Sequence, residues 1–293
     1  MRRWHAELAS WPGPALYGAF LAWFGGWTVL VVVVADLAIE QEDTSELVTA
    51  ASGLMPAVGV LFSFLTGFVI SNQWTRARGA AATVGTEADA CLRLALASQS
   101  NGTDGVAIRS DLERYITCVV EREWPVMNVS ATRHHGEATT AEAMRTIGRV
   151  ARTEATRSGV SDPISWDLLG AAESVAVSRR DRLNLAGNGL PTALFMLVFL
   201  SGVALSLNAA ALGVGLDRWA GVLIAILVVL IALDLALIVA ISGPFVGHLR
   251  IHPIPLVAVL EDLRDGDFGE LAHGESTIQP ASADPADVQR PVN

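Results

Sequence analysis

Residues 54–72 read LMPAVGVLFSFLTGFVISN, nineteen positions without a charged side chain, followed at once by Gln73-Trp74-Thr75-Arg76-Ala77-Arg78. A helix rising about 1.5 Å per residue needs about 20 such residues to cross the ~30 Å hydrocarbon layer. The stretch therefore predicts a membrane crossing that ends where Trp74 can sit in the headgroup layer and the arginines can reach water. Three further runs have the same character: Pro14 to Ala38, Pro191 to Leu212 and Trp219 to Ser242, none with an internal Arg. Pro56 and Pro191 are read as helix starts, where a missing amide hydrogen costs nothing.

Composition agrees. Hydrophobic residues make up 52% of 293 positions and mean hydropathy is +0.43, more apolar material than a globular core takes up. The net charge is −10, and all 20 basic residues are Arg. Their placement gives direction. The connection from Glu40 to Ala51 carries none, whereas Arg76, Arg78, Arg179, Arg180, Arg182 and Arg250 adjoin the opposite helix ends. By the positive-inside rule both termini and the central region face the cytoplasm, which predicts a multi-pass membrane protein. The absence of Lys beside so much Ala, Val and Gly reads as GC-rich bacterial coding, which makes the expected membrane a bacterial inner one. The five arginines from Arg76 to Arg182 are read as a cytoplasmic flank that anchors this orientation. The first apolar run is too long for a signal-peptide core of about 7–15 residues.

The expected fold is all-α: four transmembrane helices with a cytoplasmic helical insertion between the second and third. Residues 1–73 hold the N-terminal segment and helices 1 and 2, 74–190 the insertion, 191–250 helices 3 and 4, and 251–293 a C-terminal segment, disordered after 268 for want of apolar residues. Four helices are expected in the insertion. The first, Thr75 to Ser98, continues the second crossing as one rod. The second runs to Trp124 on a stripe of Leu112, Tyr115, Ile116, Val119 and Val120, with Pro125 blocking continuation. The third, Ala138 to Arg157, has few large apolar residues and reads as the most exposed. The fourth starts at Ser161-Asp162-Pro163 and passes through Leu168, Ala172 and Val175.

Candidate chemistry is sparse. No phosphate loop, HExxH, GxSxG or paired-carboxylate pattern occurs, so the chain reads as a non-enzyme without cofactor. Cys91 and Cys118 lack metal spacing and read as buried thiols. His248 and His252, and His134 and His135, read as solvated loop residues rather than metal ligands. Asp234 interrupts the fourth crossing, where a carboxylate costs about 2.5–3.5 kcal/mol. Two readings stand: an ion-handling group in a wet cavity, or a carboxyl hydrogen-bonded to a neighbouring helix.

Pro56, Ser63-Phe64, Gly67-Phe68, Trp74 and Arg76 together resemble the second-helix pattern of the bestrophins. The wider layout is similar to the bacterial bestrophin-like membrane family over nearly the whole chain, through Trp74-Thr75-Arg76, Glu87-Ala88, Arg93, Arg179-Arg180-Asp181-Arg182-Leu183, Pro191, Pro244-Phe245 and Gly247. The resemblance implies a homo-oligomeric, specifically pentameric, ion channel whose second helices form an apolar neck lined by Val60, Phe64 and Phe68. Their spacing of four puts them on one helix face, which can equally meet lipid or another helix. Thr75 separates Trp74 from Arg76, a departure from the adjacent Arg-Trp pair, and the acidic calcium clasp has no counterpart beside Pro244, which argues against calcium gating. The implied partners are membrane lipid, further copies of the chain and small ions, with no nucleic acid. The other function considered is a membrane-anchored scaffold or sensor acting through the helical insertion.

Overall fold

The computed structural model describes residues 8, 11–38, 44–100, 103–129, 137–187, 190–213, 218–247 and 249–265. Among them the secondary structure is helical, with no strand. In chain order the helices are α1 (Gly13–Ala38), α2 (Thr44–Ala97), α3 (Gly105–Cys118), a π-helical turn (Val119–Glu123), α4 (Trp124–Val129), α5 (Ala138–Ala155), α6 (Asp162–Gly187), α7 (Thr192–Gly213), α8 (Arg218–Ala240) and α9 (Ile254–Asp265). Four helical stretches are long and apolar enough to span a bilayer; they include α1, the first half of α2, α7 and α8. Pro191 stands just before α7 and its carbonyl accepts the amides of Leu194 and Phe195, so it opens that helix as expected.

Two apolar cores divide the molecule. One joins the four membrane-length segments through Leu16, Phe24, Phe62, Val69, Phe195, Val198, Ile231 and Leu235. The other joins the second half of α2 to α3, α5, α6 and α9 through Leu94, Leu112, Ile116, Ile147, Leu168 and Val175. Helix α2 belongs to both, packing on α7 in the first and on α6 in the second. Its 54 residues form one rod of ~80 Å, so the expected continuity of the second crossing with the following helix holds. Outside the first core the surface stays apolar, with Leu30, Val34, Leu223 and Leu230 all more than half exposed. Only lipid or other protein is a good solvent for such a surface.

Two expectations need correction. Pro56 lies inside α2 rather than near its start, because the helix begins at Thr44. It costs an amide hydrogen bond, roughly 3 kcal/mol in a helix interior, yet in an apolar run a broken helix would strand more backbone groups than the one proline removes. Pro125 does not end its helix: the chain winds through the π-turn, where the Trp124 amide donates to the Val119 carbonyl five residues back, and continues to Val129. The wider turn shifts the hydrogen-bond register just ahead of a residue with no amide hydrogen to offer. Helix α5 keeps the expected exposure, with Ala138, Thr139, Glu142, Arg145, Arg149, Arg152 and Thr153 all exposed. It buries Thr140, Ala143, Ile147, Ala151 and Ala155, small residues that let its backbone come close to α3 and α6. Beyond these, α9 is a packed helix with Leu256, Val259 and Leu260 buried, ahead of the stretch expected to be disordered after 268. Phe268 to Asn293 lie outside the described residues.

Candidate functional site: an uncovered helix face and a buried ion-pair cluster

Helix α2 has two unlike faces. Phe62, Thr66, Val69 and Gln73 are buried, three or four residues apart, and this stripe packs against the other membrane-length helices. The contact is tight: a Cβ added to Gly202 on α7 would lie 3.2 Å from both Phe62 and Ile231. The opposite face is uncovered. Val60 is 70% exposed, Phe64 70% and Phe68 51%. At 100° per residue the same stripe continues through Ser71, Thr75, Arg78, Ala82, Thr86, Asp89 and Arg93, and every one of these is exposed. A single face of the rod is thus bare from the membrane-length half to the tip of the second core.

The second half of α2 is held by charge. Glu87, in the fourth turn beyond Trp74, is fully buried and accepts two hydrogen bonds from the guanidinium of Arg182 and a 2.6 Å bond from the Tyr115 hydroxyl. Arg182, itself fully buried, also donates to Glu123 at 2.8 Å and to the Met127 sulfur at 2.9 Å, and lies 5.3 Å over the Trp124 ring. Arg179, one turn earlier on α6, pairs with the same Glu123. Two carboxylates and two guanidiniums therefore balance within one dry cluster drawn from α2, the π-turn and α6. Burial raises the Glu123 carboxyl, but Arg182 and Arg179 outweigh it and hold the group below the usual carboxylate range. Burial, with Glu87 beside it, pushes the Tyr115 phenol well up, so it stays protonated as the donor.

Bonds from this cluster reach further. The Glu137 amide donates to Glu123 at 3.1 Å, and the Glu137 carboxylate accepts from the Thr139 and Thr140 amides at the start of α5. Burial raises the Glu137 carboxyl, but those amides, together with the Thr139 and Thr140 hydroxyls, outweigh it and hold the group down to about 2. The Trp124 indole donates to the Ile251 carbonyl and packs edge-on against Phe245, tying the segment after α8 to the same cluster.

Of the five arginines read as a flank, Arg180 and Arg78 are exposed and Arg76 is half-buried, but Arg179 and Arg182 turn into the core. Their inward position has a sequence signal. On α6 the buried stripe runs Leu168, Ala171, Ala172, Val175, Arg179, Arg182, so the two arginines occupy apolar-face positions. Glu87 and Glu123 do the same on their own stripes. Opposite charges at core positions of separate helices are complementary, and that pattern marks the cluster.

The remaining candidates stay apart. Asp234 is half-buried on α8 between exposed Leu233 and buried Leu235, and among the described residues no hydrogen bond or ion pair reaches it. Cys91 and Cys118 are buried free thiols. His252 is exposed; His134, His135 and His248 lie outside the described residues. Among those residues no group of three His, Cys, Asp or Glu is placed to hold a metal.

A family model described as a bestrophin-like domain matches residues 22–256. No curated protein matches the chain. Among solved structures, a point variant of a membrane protein superposes with a TM-score of 0.59 at 14% identity, covering 84% of this chain and 97% of the other. A bacterial bestrophin homologue from Klebsiella pneumoniae, solved as point variants, gives a TM-score of 0.56 at 14% identity over 84% and 99% of the two chains, and 0.52 at 16% over 81% and 93%. At these identities the likeness is one of fold.

Proposed function

This chain belongs to the bestrophin-like family, and on that premise we propose that it is an oligomeric ion channel of the bacterial inner membrane. In this reading copies of α2, five by the family resemblance, surround an axis, and Val60, Phe64 and Phe68 form an apolar neck. Both termini and the body built from α3 to α6 lie in the cytoplasm, on the side of Arg76, Arg78 and Arg180. The observation that carries the reading is the bare face of α2: three large apolar side chains more than half exposed, directly across the rod from the stripe that packs. An apolar constriction of this kind gates by dewetting, since ions cross only when water fills it.

The rest of the fold supports the same mechanism. The second core grips α2 beyond the membrane through the Glu87–Arg182 pair, so movement of the cytoplasmic body reaches the neck along a continuous helix. Asp234 lies at the edge of α8, where in an assembly water or a neighbouring copy completes its hydrogen bonding. The conduction reading assigns the chain no catalytic step.

Purified protein in planar bilayers provides the test. Current from the wild type, enlarged or made leaky by Phe64→Ala or Phe68→Ala, is the expected result. Silence from wild type and both variants across several ions, pH values and voltages would sink the reading, as would an assembly whose Phe64 side chains face lipid.

A further inference from the structure

Along the bare face of α2 only some residues can distinguish the sign of a passing ion. The neck positions are hydrocarbon and offer no field of either sign. Beyond them come Ser71 and Thr75, and the Thr75 hydroxyl is already committed to the Ser71 carbonyl at 3.0 Å, bonding within its own helix. Arg78 follows, the first charge on that face after Phe68 and ten residues past it, or ~15 Å along the rod.

Arg78 is not neutralised. Among the described residues no carboxylate pairs with it; its guanidinium instead lies 5.5 Å over the ring of Trp74. Stacking on an indole fixes the position of a guanidinium while leaving its charge intact. The other cation on this face, Arg93, is paired with Asp167 at 3.0 Å. Asp89 is eleven residues further on, ~16 Å, more than the ~10 Å Debye length at 0.1 M salt. Arg78 is therefore the charge nearest the neck on this face, with Arg76 half-buried two residues before it on the flank of the rod.

We propose that Arg78, braced on Trp74, sets the charge selectivity of the conduction path and draws small inorganic anions to the mouth of the neck. The assignment rests on the conduction reading above. Charged side chains repeated around a pore select ions of opposite sign, and focusing in a cleft raises the local concentration of the attracted ion by on the order of 10-fold or more.

The full chain reconstituted in planar bilayers under a tenfold KCl gradient tests this through the reversal potential. Wild type reverses toward the chloride equilibrium potential. Arg78→Lys keeps that behaviour, Arg78→Gln lowers the chloride-to-potassium permeability ratio by about 10-fold, and Arg78→Glu inverts it. Trp74→Ala, which keeps the charge but frees it, weakens the preference less than Arg78→Gln does. Raising both solutions toward 1 M, where the Debye length falls to about 3 Å, shrinks the wild-type preference. A conducting wild type that reverses toward potassium, or one whose reversal potential Arg78→Gln and Arg78→Glu leave unmoved, overturns the assignment while conduction stands. Absence of current from wild type and Phe64→Ala alike removes the conduction reading and this assignment with it.

Discussion

Replacing Arg182 by Met keeps a long apolar side chain beside Trp124 but strips the guanidinium from the centre of the buried cluster. Glu123 retains Arg179 and the Glu137 amide. Glu87 retains only the Tyr115 hydroxyl, in a site with no exposure to water. Leaving one partner of a buried pair uncompensated costs about 3–5 kcal/mol, and for a domain of this size each kcal/mol lowers the melting temperature by about 3 °C or more. Arg182→Met is therefore expected to lower melting of the detergent-purified protein by on the order of 10–20 °C, followed by tryptophan fluorescence, to which Trp124 contributes from within the cluster. The companion measurement is the double variant Glu87→Gln with Arg182→Met. It removes both charges, so it should melt well above the sum of the two single losses, with a coupling of about 2 kcal/mol or more. An Arg182→Met protein that melts within a few degrees of wild type, or a double variant that loses as much as both singles together, would show that the pair does not hold α2 to α6.

Acid should act through Glu123. Its folded carboxyl is held below the usual range by Arg182 and Arg179, so its contribution is complete above the ordinary value near 4.3 and is lost as pH falls below it. The melting temperature should be level from pH 8 to about 5 and decline below about 4.3, with a shallower decline in Glu123→Gln. Glu137→Ala removes the α5 cap and should cost about 0.5–2 kcal/mol; because the carboxyl titrates at about 2, the cost should persist at pH 4. Gly202→Val should destabilise by about 1–3 kcal/mol, since its side chain would displace Phe62 and Ile231, already 3.2 Å from an added Cβ; a melting curve matching wild type would show that α7 is packed more loosely than described. Cys91, fully buried, should resist maleimide labelling in the folded protein and react once it is denatured.

Apolar run length by itself located the membrane helices: Pro14 to Ala38 against an α1 of Gly13–Ala38, Pro191 to Leu212 against an α7 of Thr192–Gly213, and Trp219 to Ser242 against an α8 of Arg218–Ala240. Lipid thickness sets that length, so a local count of residues suffices. The long rod was legible too, because no proline follows Pro56 before Pro125. Elements whose limits depend on neighbours were harder to read. Proline 125 continues its helix because a π-turn precedes it, and α9 is ordered because the second core offers Leu256 and Leu260 a place.

The ion-pair cluster divides along the same line. Four charged residues on apolar stripes were visible in the primary structure, but nearness to a crossing made the arginines look like membrane anchors. Which of three arginines within four residues turns inward depends on the angle α6 presents to α2 and to the π-turn. Arg180, one residue from Arg179, points to solvent because a step of 100° carries it off the packed face. Hydrocarbon thickness is a property of the solvent and can be counted along a chain. The pairing of Glu87 with Arg182, 95 residues apart, is a property of helices meeting in space.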